Sequence, residues 1–387
     1  MCSRKILTAL FLCSCLEIGH AAVTVGTCQS VKHPYTTISA AIAAAPAGGV
    51  VDVCPGTYAE QLEIDKPLTI QGIVLPNQPG VTIVTPTTGL NMLPANSNFY
   101  PQVFVNNAGG PVKLMNMSVS GSNALINYLG NLGGVTNDYC PDGIVQDFSG
   151  VYFLNTPGAL DHMNISGQFG SILAPGDEGP QLIPNCGNGV EFNGSEKAVV
   201  TNSVVSGVGH YGIYASGDLT ADHNVVSGGN GPYGVGIQAV TGTITDNTIT
   251  GTLFVQTKGI EGGQLVRGNI VQSSLYGIVG AGAARHNTLL NNAIGMSQVT
   301  DASDNLITAP STYRNPACVN ANCPYSPDLN PTPPTIGIDL GCADGSLVRD
   351  NGIVGVGIGI ANVEKGQTFS PTNLFANVTT TSTSCTQ

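Results

Sequence analysis

Tryptophan is absent from these 387 residues, and charge is nearly absent too, at 9% of the chain. Nowhere after the first helix-like stretch does an apolar stripe reach helix length, so the chain reads as all-β. The N-terminal apolar run, Ile6 to Leu16, is too short to cross a bilayer. No Cys-x-x-Cys or Cys/His spacing supports a zinc site, and the nonapeptide Ca²⁺-binding repeat is missing. Basic residues are scarce: 12 Lys and Arg stand against 24 Asp and Glu, a net charge of -12. Such a surface repels nucleic acid and anionic lipid, and it disfavours polyanionic sugars unless a divalent cation bridges them.

Glycine (51) and proline (24) are abundant, as suits many tight turns around a core of small residues. They punctuate a repeat. An Asn, a short β-branched stretch and then a Gly-Ile pair recur from about residue 185 to 360. Examples are Asn202 with Gly212-Ile213, Asn224 with Gly236-Ile237, Asn247 with Gly259-Ile260, Asn269 with Gly277-Ile278 and Asn287 with Gly295-Met296. Asn305 and then Asn351 with Gly357-Ile358 close the series. Such a unit cannot bury its apolar side alone, so successive units must stack as coils. Their strands then pair in parallel, with equivalent Asn residues forming an internal amide ladder. The Ile after each Gly points inward and the next residue outward. The expected fold is a single-stranded, right-handed parallel β-helix (solenoid) with an N-terminal capping helix.

Residues 1–21 read as a secretory signal: Arg4-Lys5, a short apolar run, then Gly19-His-Ala21 as cleavage site. Cys2, Cys13 and Cys15 would leave with it, and the remaining eight cysteines read as disulfides of an exported chain. Cys28 with Cys54, Cys140 with Cys186, Cys318 with Cys323 and Cys342 with Cys385 is one set among the 105 that eight cysteines allow. The expected location is secreted, periplasmic or cell-surface, and the expected state is a monomer. Residues 22–365 are assigned to the β-helix, with insertions at about 121–187 and 309–335, and 366–387 to a loose Thr/Ser-rich tail.

Tyr35 to Pro46 is the one helical pattern, with Thr36 or Thr37 as cap and apolar residues at 38, 41, 42 and 45. Strand-like Val50 to Val53, the turn Pro55-Gly-Thr-Tyr58, Leu62-Glu-Ile64 and Lys66-Pro-Leu-Thr-Ile70-Gln-Gly72 follow. This opening, with the repeats after it, resembles the pectin-lyase-like superfamily over most of residues 35 to 360. The resemblance implies the fold, and it implies no particular activity, because lyases, esterases, hydrolases, epimerases and non-catalytic members share the opening. Motifs of several relatives fail to match. The Arg-Pro-Trp segment of plant-type pectin methylesterases is excluded by the missing Trp. The Asp-Pro-His-Glu of alginate epimerases and the Asn-Thr-Asp with paired Asp of polygalacturonases are not found; Asn137-Asp138 and Gly209-His210-Tyr211 echo the latter faintly.

Aligned on Gly-Ile, the coils present Glu191, Tyr214, Gln238, Glu261, Val279 and Ser297 outward, with His210, Tyr211, Tyr233, Lys258 and Tyr276 just before. Sugars are bound by such a mixture of stacking faces and hydrogen-bonding groups. Glu191, Tyr214, Tyr233, Gln238 and Glu261 are therefore candidate polysaccharide-binding residues. Glu191 and Glu261 lie three coils apart, about 14 Å at one strand spacing per coil, too far for a glycosidase carboxylate pair. A uronate lyase or C5-epimerase needs a cation and a base, roles assigned to Lys258, His210 and Tyr211. A second column, Asp222-His223, Asp246, Arg267, Arg285-His286, Asp304 and Arg349-Asp350, reads as surface ion pairs. Asp138, Asp142 and Asp147 are candidate Ca²⁺ ligands. The chain is thus expected to bind or modify a polysaccharide, as a uronate lyase or epimerase if it is an enzyme. A non-catalytic surface or adhesive β-helix is the rival.

Overall fold

The computed structural model describes residues 22–385 except 31, 32, 96, 98, 122–146, 169, 174–181, 196, 228–233, 252–256, 315–331, 343, 344 and 365–368. The signal segment, the side chains of the Cys140–Cys186 and Cys318–Cys323 pairs, Tyr233 and the side chains of the Ca²⁺ candidates lie outside this set.

Each regular coil holds three short strands. In one they are Tyr276–Val279, Ala283–Arg285 and Thr288–Leu290; in the next, Ile294–Ser297, Asp301–Ser303 and Leu306–Thr308. Each pairs in parallel with its counterpart one coil on. The first two strands of every coil join a 22-stranded sheet, and the third joins a 12-stranded sheet. In Tyr211–Asp222 and Val235–Thr245 the first two strands run together. The result is a right-handed parallel β-helix wound around one continuous apolar core.

The Gly-Ile repeat follows from the geometry of that core. Ile213, Ile237, Ile260 and Ile278 are fully buried in it. The preceding glycine also faces inward, where no side chain fits. A Cβ on Gly236 would lie 2.5 Å from Ile249 Cγ2 and 2.6 Å from the Gly259 carbonyl oxygen. At the C-terminal end the register differs from the sequence reading by two residues. Ile336 pairs with Ile358 and Ile338 with Ile360, so Gly359-Ile360, not Gly357-Ile358, holds the inward position.

The asparagine ladder runs Asn224, Asn247, Asn269, Asn287, Asn305, Asn351, Asn373. Asn269 is typical: its Nδ2 donates to the Ile244 carbonyl (2.9 Å) and to Asn287 Oδ1 (3.0 Å), while its Oδ1 accepts from the Asn247 amide (2.9 Å). Each buried turn amide is thereby satisfied inside the core. Asn202 is not a rung. Ser203 holds that place, its amide donating to Asn224 Oδ1, while Asn202 stands one residue earlier at a left-handed corner and binds Asp161 Oδ1 at the surface.

Helix α1 (Ile38–Ala44) closes the first coil with Ile38, Ala41 and Ile42 buried, and Thr37 is its N-cap. Beyond the sequence reading, Glu60 caps the same end from outside, accepting from the Ile38 and Ser39 amides at 2.8 and 2.9 Å. Cys28–Cys54 and Cys342–Cys385 are disulfide-bonded. The expected loose tail is instead the last coil: Leu374–Ala376 and Thr380–Ser384 pair with Gly352–Val354 and Ile358–Val363. Within the expected 121–187 insertion, residues 147–168 form a complete coil paired on both sides. Six interruptions of the coil, at 85–98, 121–146, 169–187, 228–234, 251–257 and 309–335, each leave the 12-stranded sheet and return at the start of the next strand of the wide sheet. The starts of those wide-sheet strands are therefore where these six segments rejoin the coil.

Candidate functional site

On the first strands of the wide sheet, register places Glu63, Phe104, Tyr152, Glu191, Tyr214, Gln238, Glu261, Val279, Ser297 and Asp339 in one outward column. Four of the expected ligand contacts, Glu191, Tyr214, Gln238 and Glu261, thus stand on consecutive strands. A parallel column three residues earlier holds Asn188, Tyr211, Val235, Lys258 and Tyr276. His210 sits beside it, its ring centroid 3.8 Å from that of Tyr211, which in turn lies 4.9 Å from Tyr214. The three rings form a tilted aromatic platform.

On one side of the platform the sheet face is closed by apolar packing. Phe104 and Tyr152 are buried and stack at 5.6 Å, and Phe99 also stacks on Tyr152 at 4.9 Å. Glu191 lies at the boundary, 6% exposed, its Oε2 accepting from Asn188 Nδ2 at 3.0 Å and Ser149 Oγ at 3.4 Å. Burial, followed by the Glu191 charge, pushes the Tyr214 hydroxyl above its ordinary value of 10.0. Tyr214 is therefore a protonated donor and stacking face, and a poor base at neutral pH. Gln238 Oε1 is buried with no partner among the described residues. Lys258 Nζ is ion-paired with Glu261 Oε1, both side chains partly covered. The sequence reading grouped Lys258 with His210 and Tyr211 as the source of a cation and a base; in the structure Lys258 is ion-paired with Glu261.

One ring was missed. Tyr313 has its hydroxyl pushed up by burial and by Tyr276, the residue in register with Lys258 one coil on. Tyr313 lies in a Pro-rich interruption with no periodicity, and only the position of that interruption, just before a wide-sheet strand, pointed to it.

The second expected column divides into two structural roles. His162, Asn202, His223, Asp246, His286, Asp304 and Asp350 all occupy left-handed corners, with φ between 51° and 58°. Short polar side chains tolerate that conformation by bonding locally. Arg285 pairs with Asp301, and Arg349 reaches Asp350 at 3.5 Å. His223 Nδ1 bonds Asp222 Oδ2 at 2.8 Å, and ligand atoms of Asp222, His223 and Asp246 lie within 4.8 Å of one another. That is the one group among the described residues with metal-ligand spacing.

Two family descriptions match parts of the chain. The periplasmic copper-binding protein (NosD) family matches residues 177–318, and a protein family of unknown function (DUF1565) matches residues 22–80. Both are of the parallel β-helix type. No curated protein matches the chain. Among solved structures, a GH136 lacto-N-biosidase from Eubacterium ramulus is 12% identical over 76% of this chain and 64% of its own, with a TM-score of 0.38. The chain thus spans about two thirds of that protein's length. The A-module of the Azotobacter vinelandii mannuronan C-5 epimerase AlgE6 is 14% identical over 89% of this chain and 94% of its own, at a TM-score of 0.37. The Dettilon tailspike protein is 15% identical over 92% and 68%, at 0.42. Likeness at this level bears on neither substrate nor reaction.

Proposed function

We propose that this right-handed parallel β-helix, of the pectin-lyase-like type, binds a polysaccharide on the first strands of its wide sheet, between Glu191 and Tyr276. The observation that carries the reading is the platform of His210, Tyr211 and Tyr214 set directly beside Glu191, Gln238 and the Lys258–Glu261 pair. Aromatic faces stack on the C–H faces of pyranose rings while neighbouring polar groups fix the hydroxyls. Strands about 4.8 Å apart repeat these contacts at close to one sugar per strand along the helix axis. Two disulfides fit an oxidising compartment outside the cytoplasm. No helix among the described residues is long and apolar enough to cross a membrane.

The catalytic version of this reading is β-elimination or C5-epimerisation of a uronate, with Lys258, His210 and Tyr211 in the reacting roles. One feature works against it: Lys258 is already paired with Glu261. Binding without turnover, as in an adhesive β-helix, is what the geometry favours. Depletion of the protein from solution by a panel of insoluble polysaccharides tests the binding. Retention by at least one polymer, lost in Tyr211→Ala and Tyr214→Ala, is expected; retention by none contradicts the reading. Ultraviolet absorbance from unsaturated product on polyuronates, with and without Ca²⁺, would establish the lyase version instead.

A further inference from the structure

We propose that the protein self-associates through its 12-stranded sheet, the outer face of that sheet docking on the same face of a second copy, in place of the monomer expected from the sequence. Two outward columns run along the face. Register carries the first from Thr57 through every strand to Leu374, and the second, two residues on, from Ala59 to Ala376. Neither column holds an Asp, Glu, Lys, Arg or His on any of the 12 strands. Depletion of charge, more than apolar content, is what marks the core of a protein–protein interface. The wide sheet differs, with Lys258 and Glu261 on its first strands and Arg267, Arg285 and Arg349 on its second. In the first column of the 12-stranded sheet Val204, Val225, Ile270, Leu306 and Leu374 all stand exposed, Leu374 at 73%.

Charge, shape and area argue for a second copy as the occupant. A chain of net charge -12 meets its own copy with least repulsion through a neutral face, and such a face gives a charged partner nothing to pair with. Large and small residues alternate along the column: Val225, Ile270, Leu306 and Leu374 are separated by Thr248, Thr288 and Gly352. A two-fold axis that sets the two helices antiparallel brings the first strand of one sheet over the last strand of the other. Leu374 then lies over Thr57, Leu306 over Ser118 and Val225 over Thr248, while Ile270 meets Val204, apolar on apolar. Parallel helices would instead stack each large side chain on its own copy. Twelve strands about 4.8 Å apart and about three residues long make a face of about 58 by 10 Å, so about 1,100 Å² is covered on the two copies together. That clears the roughly 1,000 Å² a specific interface needs and lies at the weak end of the range.

Sedimentation velocity of the full chain over about 1–100 µM, the range that so small an interface implies, tests the proposal. The wild type is expected to pass from monomer to dimer across that range. Ile270→Lys is expected to weaken association tenfold or more with an unchanged far-ultraviolet circular dichroism spectrum. Leu347→Lys adds the same charge at an exposed leucine on the second strands of the wide sheet, and is expected to leave association as it is. A mixture of Thr57→Cys and Leu374→Cys proteins should cross-link with a short bis-maleimide above the wild-type background, and neither variant should do so alone. A monomer at every concentration, or a dimer that Ile270→Lys leaves intact, overturns the proposal. Retention of such a monomer on an insoluble polysaccharide, lost in Ile270→Lys, would assign the face to a glycan instead. Cross-linking of Thr57→Cys to its own copy overturns the antiparallel arrangement.

Discussion

A ladder asparagine does the work of three hydrogen-bonding groups in a place water does not reach. Asn269 is fully buried and bonds the coil before it and the coil after it. Asn269→Ala strands the Asn247 amide and the Ile244 carbonyl, and we expect a loss of roughly 2–4 kcal/mol, read by urea denaturation. The exposed corner one position earlier behaves differently. Bonding and charge from Asp222 raise the His223 pKa above its ordinary 6.5. Burial acts to raise Asp222, but hydrogen bonds from Thr245 and His223 and the His223 charge outweigh it and hold it below 3.8. A raised histidine contributes stability below its unfolded pKa, lost as pH rises through the folded value; a lowered carboxylate contributes above its own, lost as pH falls. Both contributions are therefore fully present only between about 3.8 and 6.5. The NMR titration of His223 should move down toward its ordinary value in Asp222→Asn, and an unchanged midpoint would remove Asp222 as the cause.

At the scale of an element, the capping helix shows how a short segment is held. Seven residues form a marginal helix alone. Thr37 caps it locally, and the Glu60 carboxylate, from the next coil segment, takes two further amides and the Ser39 hydroxyl. Glu60→Ala should cost about 1–2 kcal/mol, measured as a shift in the denaturation midpoint, with the loss concentrated in hydrogen exchange of residues 38–44. The cap Thr37 and the buried face at 38, 41 and 42 were legible from periodicity, since they depend only on neighbours in sequence. Glu60 was not legible, because its role exists only once the first coil has closed. The same distinction explains the ladder. Asn224 to Asn305 could be read from spacing, but Asn202 and Ser203 exchange roles by a one-residue shift that composition alone favours the wrong way. The candidate face was legible as a set of residues, because the Gly-Ile steric requirement fixes register. The commitment of Lys258 to Glu261 was not, since two side chains on one strand can meet or part without changing the pattern.

Across the whole molecule, coils contact mainly their neighbours, so stability is close to a sum over interfaces and the end coils are the weakest. Cys342–Cys385 fastens the coil that ends in Thr380–Ser384. Replacing both cysteines with serine should raise hydrogen exchange in residues 374–384 first, leaving residues 258–308 protected; uniform loosening would mean that the bond supports the whole helix. The same one-dimensional order locates the ligand. One face, on the first strands of the wide sheet, carries the aromatic platform with polar groups beside it, while strands Val204–Val208, Val225–Ser227 and Thr248–Thr250 of the 12-stranded sheet present Val, Ser and Thr outward with no charge. The most direct measurement is therefore glycan affinity by isothermal titration for the wild type, Tyr214→Ala and Thr248→Ala, using a soluble oligosaccharide of the polymer that retains the protein best. Affinity should fall at least tenfold in Tyr214→Ala and stay unchanged in Thr248→Ala. Equal affinity in all three proteins, or a loss only in Thr248→Ala, would contradict the placement of the binding site on the wide sheet.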